Sequence, residues 1–255
     1  MASEDQSNTP LQVIAASMGF GGVKVLTDVD VTIEGNGIVA LVGPNGAGKT
    51  TLFNVICGAL KPSHGEVFSF GEKMSGLSTE AIAGHGVFRT FQDLRLFRSL
   101  SVRENVCVGL GRSLRKKATV DKVDGLLEEL DLASFEKVRA RDLPHGAAKL
   151  LTVARVLVHD PKVLLLDEPG AGMDIQAYEC LAAALKRRHD LPVILVEHNL
   201  DTVRDLASRV VFLDGGRVIA DGPTDEILSR DDLAAIYFGS GGGSGVATDI
   251  AKDHE

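Results

Sequence analysis

The sequence predicts an α/β fold: a mainly parallel sheet with helices on both faces. Three observations predict it. Short apolar or alternating runs recur along the chain, helix-like segments separate them, and a glycine-rich loop joins one such run to a helix. From about Gln92 to Asp160 helical character takes over, so a helical block interrupts the α/β core.

The elements follow in order. Val25, Thr27, Val29, Val31 and Ile33 fall at period two, which predicts a half-buried strand. Ile38 to Val42 is continuously apolar, as a buried parallel strand is. Gly43 to Gly48 is glycine-rich, and Lys49 to Ala59 reads as a helix. Gly65 to Phe70 and Gly86 to Thr90 read as further strands. Ser101 and Glu104 have the spacing of a capping box, which starts a helix in the helical block. Strands return at Lys162–Leu166, Pro192–Val196 and Arg209–Leu213. Gly215-Gly216 then predicts a hairpin between Val210–Leu213 and Arg217–Ala220. Gly239 to Gly245 is only glycine and serine, a flexible-linker composition, and the tail to Glu255 adds no core.

Composition narrows the class. A chain of 255 residues with 44% hydrophobic content holds one or two domains and buries a sizeable core without staples. The three cysteines, Cys57, Cys107 and Cys180, form no CxxC pair, which excludes a common zinc or thioredoxin-like site and fits a reducing cytosol. Cys57 and Cys107 sit in apolar helical surroundings and read as small buried hydrophobes. No apolar run reaches the roughly 18–20 residues that cross a bilayer. Met1 to Pro10 is polar and carries Glu4 and Asp5, unlike a signal peptide. A net charge of −8 argues against broad nucleic-acid backbone binding. Arg112, Arg115, Lys116 and Lys117 form one basic cluster, read as a solvated loop in preference to a lipid or membrane-protein contact. The histidines show no metal-ligand spacing.

Gly43-Pro44-Asn45-Gly46-Ala47-Gly48-Lys49-Thr50 matches G-x-x-x-x-G-K-[ST] between an apolar strand and a helix. By average composition this pattern arises in about one chain in a hundred of this length. The glycines let successive N–H groups point at one anion, and the helix start adds its positive dipole end. Lys49 would reach the β- and γ-phosphates, and the Thr50 hydroxyl would bind Mg²⁺. Val163 to Leu166 is an apolar run ending in Asp167-Glu168. Acids at the carboxyl end of a parallel strand face the ligand crevice. Asp167 would support Mg²⁺, and Glu168 is the candidate to polarise an attacking water.

With these motifs in place, the chain resembles the ATP-binding subunit of an ABC transporter from roughly Leu11 to Gly239. The resemblance implies a P-loop NTPase (RecA-like) core, an antiparallel β subdomain and a helical subdomain inserted at about residues 93–160. Residues 1–10 are then a polar N-terminal segment, and 240–255 a flexible Gly/Ser-rich tail. Gln92 stands where the family has its Q-loop glutamine, implying a Mg²⁺ ligand that senses the membrane subunit. His198 matches the switch histidine at the γ-phosphate, Gly172-Met173-Asp174 the D-loop, and Phe20 the aromatic that stacks on adenine. Thr51 extends the nucleotide-binding set Gly43–Thr50. Spacing agrees: Gln92 follows Lys49 by 43 residues and His198 follows Asp167 by 31.

Arg89-Thr90-Phe91-Gln92, Leu94-Arg95-Leu96-Phe97, Glu104-Asn105-Val106 and Ala235-Ile236-Tyr237-Phe238-Gly239 are similar to the branched-chain amino-acid importer group. Importers of urea and short amides share these features. The resemblance implies an ATPase that uses ATP and Mg²⁺. It implies two membrane permease subunits, a second ATPase subunit and, indirectly, a solute-binding protein. It also implies a place on the cytoplasmic face of the membrane and no nucleic-acid partner. A soluble ABC ATPase acting on nucleic acid or ribosomes is the rival class, and the chain has no room for its coiled-coil arm or second cassette.

One segment departs from the family. Where an LSGGQ-like signature belongs, this chain has Leu143-Pro144-His145-Gly146-Ala147-Ala148-Lys149, with Gly146 21 residues before Asp167. Pro144 replaces the serine that donates to the opposite subunit's ATP, and proline offers neither hydroxyl nor N–H. Ala147 replaces the glutamine. The departure predicts a heterodimer with a subunit of intact signature. The alternatives are a signature that tolerates these residues and a regulatory subunit with little turnover.

Overall fold

The computed structural model describes residues 8–110 and 116–238, without the Phe238 side chain. The predicted tail at 240–255, with Arg112 and Arg115 of the basic cluster, lies outside the described residues.

In chain order, β1 (Leu11–Phe20) and β2 (Val23–Ile33) form a hairpin before β3 (Gly37–Val42) and α1 (Lys49–Ile56). β4 (His64–Ser69), β5 (Glu72–Lys73), α2 (Thr79–Gly84) and β6 (Val87–Arg89) follow. Next come α3 (Val102–Cys107), α4 (Lys117–Glu129) and α5 (His145–Leu157), with no strand among the described residues between β6 and β7 (Val163–Asp167). The chain continues through α6 (Ile175–Arg187), β8 (Pro192–Val196), α7 (Leu200–Leu206), β9 (Arg209–Asp214), β10 (Arg217–Pro223), α8 (Thr224–Leu228) and α9 (Asp231–Phe238).

A six-stranded sheet runs β10-β9-β3-β8-β7-β6 and is parallel except at the β9–β10 hairpin. A second sheet, β2-β1-β4-β5, is antiparallel throughout. The β3 run is apolar at every residue because both its faces are covered. Ile38, Ala40 and Val42 join the core shared with α3 to α8. Val39 and Leu41 join the core shared with α1 and the antiparallel sheet. Each fully buried Leu or Ile there contributes about 1.5–3 kcal/mol.

Three expectations are corrected. Helices do not cover both faces alike: one face is covered by α1 with β1, β2 and β4, since those strands have an apolar side to bury. The period-two reading of β2 holds only for Val29, Val31 and Ile33; Leu26 is buried while Val25 and Thr27 are half-exposed. Asp28, at φ +48°, shifts the phase. On the paired strand, Ala15 at φ +46° breaks the alternation of β1, which is why no strand was legible there. The first helix stops at Ile56 instead of Ala59. Gly58 takes φ +71°, and its N–H closes back onto the Val55 carbonyl at 3.2 Å.

The capping box forms as expected: the Ser101 hydroxyl accepts from Glu104 N–H at 3.2 Å, and Glu104 accepts from Ser101 N–H at 2.7 Å. Cys57 is buried, while Cys107 and Cys180 are only partly so.

Candidate nucleotide site

The loop after β3 curls as the glycines predict. Gly43 has φ +154°, and a Cβ there would lie 2.0 Å from the Leu213 carbonyl oxygen, so no side chain fits. Gly48 caps α1 in the left-handed region, and no acid in the first turn of α1 offsets its positive end. Lys49 is buried and folds over the loop, donating to the carbonyls of Gly43 at 2.6 Å and Pro44 at 2.9 Å. Burial pushes its ammonium pKa down, and the charges of Glu168 and Asp167 oppose the shift.

Beside this loop lies a cavity of about 320 Å³. Asn45 through Thr51 line one side; Val25, Gln92, Glu168, Val196 and His198 line the rest. The structure thus brings together the loop, Gln92, Glu168 and His198, which the sequence scatters over 150 positions. The Glu168 carboxylate accepts from Gln92 Nε2 at 2.9 Å and lies 2.7 Å from His198 Nε2. Glu168 itself has φ +48°, a strained state for a residue with a Cβ. Phe20 stands outside this group: it lies at the end of β1, 47% exposed, and Val25 lines the cavity instead.

Asp167 is placed differently from a free metal ligand. It is buried and paired with an equally buried Arg89 at 2.6 Å. Arg89 also donates to Asn54 at 2.5 Å and lies over the Phe53 and Phe91 rings at 5.3 and 5.1 Å. Among the described residues no cluster of three or more His, Cys, Asp or Glu could hold a metal. Thr50 and Gln92 line the cavity and offer hard oxygen donors beside a phosphate loop, while Asp167 lies behind them on Arg89. That set fits Mg²⁺, which keeps several waters and takes phosphate oxygens.

Sequence reasoning missed four residues. Arg89 and Glu197 are charges at the ends of apolar strands, which was the available signal. Glu197 is buried and accepts from the Gly170 N–H at 2.8 Å. Lys149, also buried, donates to the Glu168 carbonyl at 2.7 Å. Tyr237, from α9, donates to the His198 carbonyl at 2.6 Å; nothing local in the sequence announces that contact.

The divergent segment begins α5. Pro144 is its N-cap and supplies no side-chain bond. His145 is exposed, and Gly146 packs so closely that a Cβ would meet the Ala177 Cβ at 2.7 Å. Asp174 caps α6 by accepting from Ala177 N–H at 2.8 Å.

A parallel sheet, a glycine-curled loop capping a helix and an acid at the end of β7, one strand removed from β3, define a P-loop nucleoside triphosphatase. Residues 26–171 match the family model for ABC transporters, so the chain belongs to that family and is an ABC-type ATPase. It is 32% identical to the high-affinity branched-chain amino acid transport ATP-binding protein BraF of Pseudomonas aeruginosa, over 90% of this chain and 97% of BraF. It is also 32% identical to the lipopolysaccharide export system ATP-binding protein LptB of Haemophilus influenzae, over 85% of this chain and 91% of LptB. A solved ATP-binding cassette of an ABC transporter in its ADP conformation superposes with TM-score 0.80 at 28% identity, covering 91% of this chain and 99% of that one. Among the described residues no helix is long and apolar enough to cross a membrane.

Proposed function

We propose that this ATPase drives an importer for branched-chain amino acids or a related small polar solute, working at the cytoplasmic face of the membrane against two permease subunits. A solute-binding protein delivers the solute, which does not touch this chain. The likeness to BraF supports the amino-acid reading; the equal identity to LptB leaves urea, short amides and other cargo as outcomes of the transport assay.

One observation carries the mechanism: Glu168, held by Gln92 and His198, sits on the wall of the phosphate-loop cavity. ATP is the substrate. The loop Gly43–Thr51 receives its phosphates, Lys49 swings from the loop carbonyls to the γ-phosphate, and Phe20 folds onto adenine. Glu168 orients the attacking water, and His198 donates to the γ-phosphate. Thr50, Gln92 and Asp167 would hold Mg²⁺, which neutralises charge on the transferred phosphoryl group. Gln92 and the helical segment α3–α5 transmit the motion to the permease.

In a head-to-tail dimer the start of α5 faces the partner's ATP. Pro144 and Ala147 weaken that second site, removing at least one hydrogen bond to a charged group, about 1.5–3 kcal/mol. The partner is therefore a different ATPase subunit with an intact signature.

The test isolates the assembly through a tag on this chain. Glu168→Gln should lower its ATPase about a hundredfold or more, and one copy of this chain should accompany one copy of a second ATPase. Undiminished turnover in Glu168→Gln favours a regulatory subunit, the reading that Pro144 and Ala147 support. Vigorous ATPase from a homodimer of this chain defeats the heterodimer.

A further inference from the structure

We infer that Lys149 and Glu197 are positioning residues that hold the backbone of Glu168 in its working conformation; the inference rests on Glu168 orienting the attacking water.

Glu168 occupies a strained backbone state at φ +48°, and the residues around it fix that state from three directions. Its N–H donates to the Val196 carbonyl at 2.9 Å, which ties it to β8. Its carbonyl accepts the Lys149 ammonium at 2.7 Å. Two residues on, the Gly170 N–H donates to the Glu197 carboxylate at 2.8 Å. A Cβ at Gly170 would lie 3.0 Å from that carboxylate oxygen, so the turn is pressed against it. Lys149 is 7% exposed and Glu197 3%.

Two buried charges behind the cavity lining need a reason, since burial is costly unless each is satisfied. Burial pushes Lys149 down and Glu197 up, and each group's charge opposes the other's shift. Neither lines the nucleotide cavity. Both act on the backbone either side of Pro169, so they aim the Glu168 side chain without touching substrate. Lys149 also lies one turn into α5, whose start holds the divergent Pro144 and Ala147. Movement of that helix start therefore reaches this chain's own Glu168 through a single side chain.

The test measures kcat, the KM for ATP and the melting temperature of the tagged assembly. The variants are Lys149→Met, Lys149→Gln, Lys149→Arg, Glu197→Ala and Glu197→Gln, with Glu168→Gln alongside. Lys149→Met and Glu197→Ala should lose about tenfold in kcat with KM within about twofold. Lys149→Arg and Glu197→Gln keep a donor and an acceptor and should recover most of it. If Lys149→Met does not fold, Lys149→Gln carries the same expectation. Unchanged kcat in the folded variants overturns the inference, as does a parallel fall of kcat, KM and melting temperature that the conservative variants do not rescue. Normal turnover in Glu168→Gln instead removes the mechanism beneath it, and so the inference with it.

Discussion

The phosphate loop and the start of α5 are both helix N-termini, and they are built in opposite ways. At α1, Gly43 and Gly48 take conformations closed to other residues, and Lys49 is parked on two loop carbonyls. At α5, a proline caps the helix without a side-chain bond, and an exposed histidine follows. The first end is specified atom by atom for phosphate. The second keeps Gly146 packed against Ala177 and Lys149 hydrogen-bonded to the Glu168 carbonyl. The contrast teaches that the packing of a helix start can be tightly specified while its cap is not, because packing and capping use different residues.

The comparison breaks most sharply at Lys49. Lys49→Ala should lower ATPase of the assembly by about a hundredfold or more, since a positioned cation at the transferring phosphate is lost. Activity within threefold of wild type would mean that the loop is not the working site. The opposite change sharpens the contrast from the α5 side. Pro144→Ser with Ala147→Gln should raise the ATPase of the chain alone about tenfold to a hundredfold by restoring a phosphate donor. The serine should also cap α5, stabilising the fold by about 1 kcal/mol in thermal unfolding. A flat ATPase response would show that the segment does not limit turnover.

Packing at the same helix start is tested by Gly146→Ala. The added methyl meets Ala177, so about 1–3 kcal/mol of stability should be lost, read as a fall in melting temperature. An unchanged melting temperature would show that α5 and α6 can separate freely.

The smallest expected effect lies far from both ends, at His159, which stacks on Phe88 with ring centres 5.2 Å apart. Burial, with Lys122 and Arg155 adding to it and Asp160 opposing, holds its pKa below the ordinary histidine value. The unfolded chain therefore takes up a proton first as pH falls. Stability should decline from about pH 6.5 downward until the folded-state pKa is passed. His159→Phe should narrow the gap between melting temperatures at pH 7.5 and pH 5.5; an unchanged gap would assign the acid sensitivity elsewhere.

Much of this was legible in the residues. The continuous apolar runs of β3, β7 and β8 marked a doubly covered parallel sheet, and a fixed-spacing loop marked the phosphate site. β1 failed to show because the left-handed Ala15 resets its two-residue period, and β5 because two residues hold no pattern. Glu168, Gln92 and His198, which meet on the cavity wall, were legible because each closes a recognisable motif. Arg89, Lys149 and Glu197 were missed because their importance is a matter of who meets them across the fold.

The sequence by itself determined the class of chemistry. Phosphate binding depends on local backbone freedom and a lysine at fixed spacing, and both are written in eight consecutive residues. The tertiary structure alone decided which charges meet beside that loop. Lys149 and Glu168 are 19 residues apart, and Arg89 and Asp167 are 78 apart. A buried charge finds its partner through the packing of helices and strands, and no local pattern encodes that meeting.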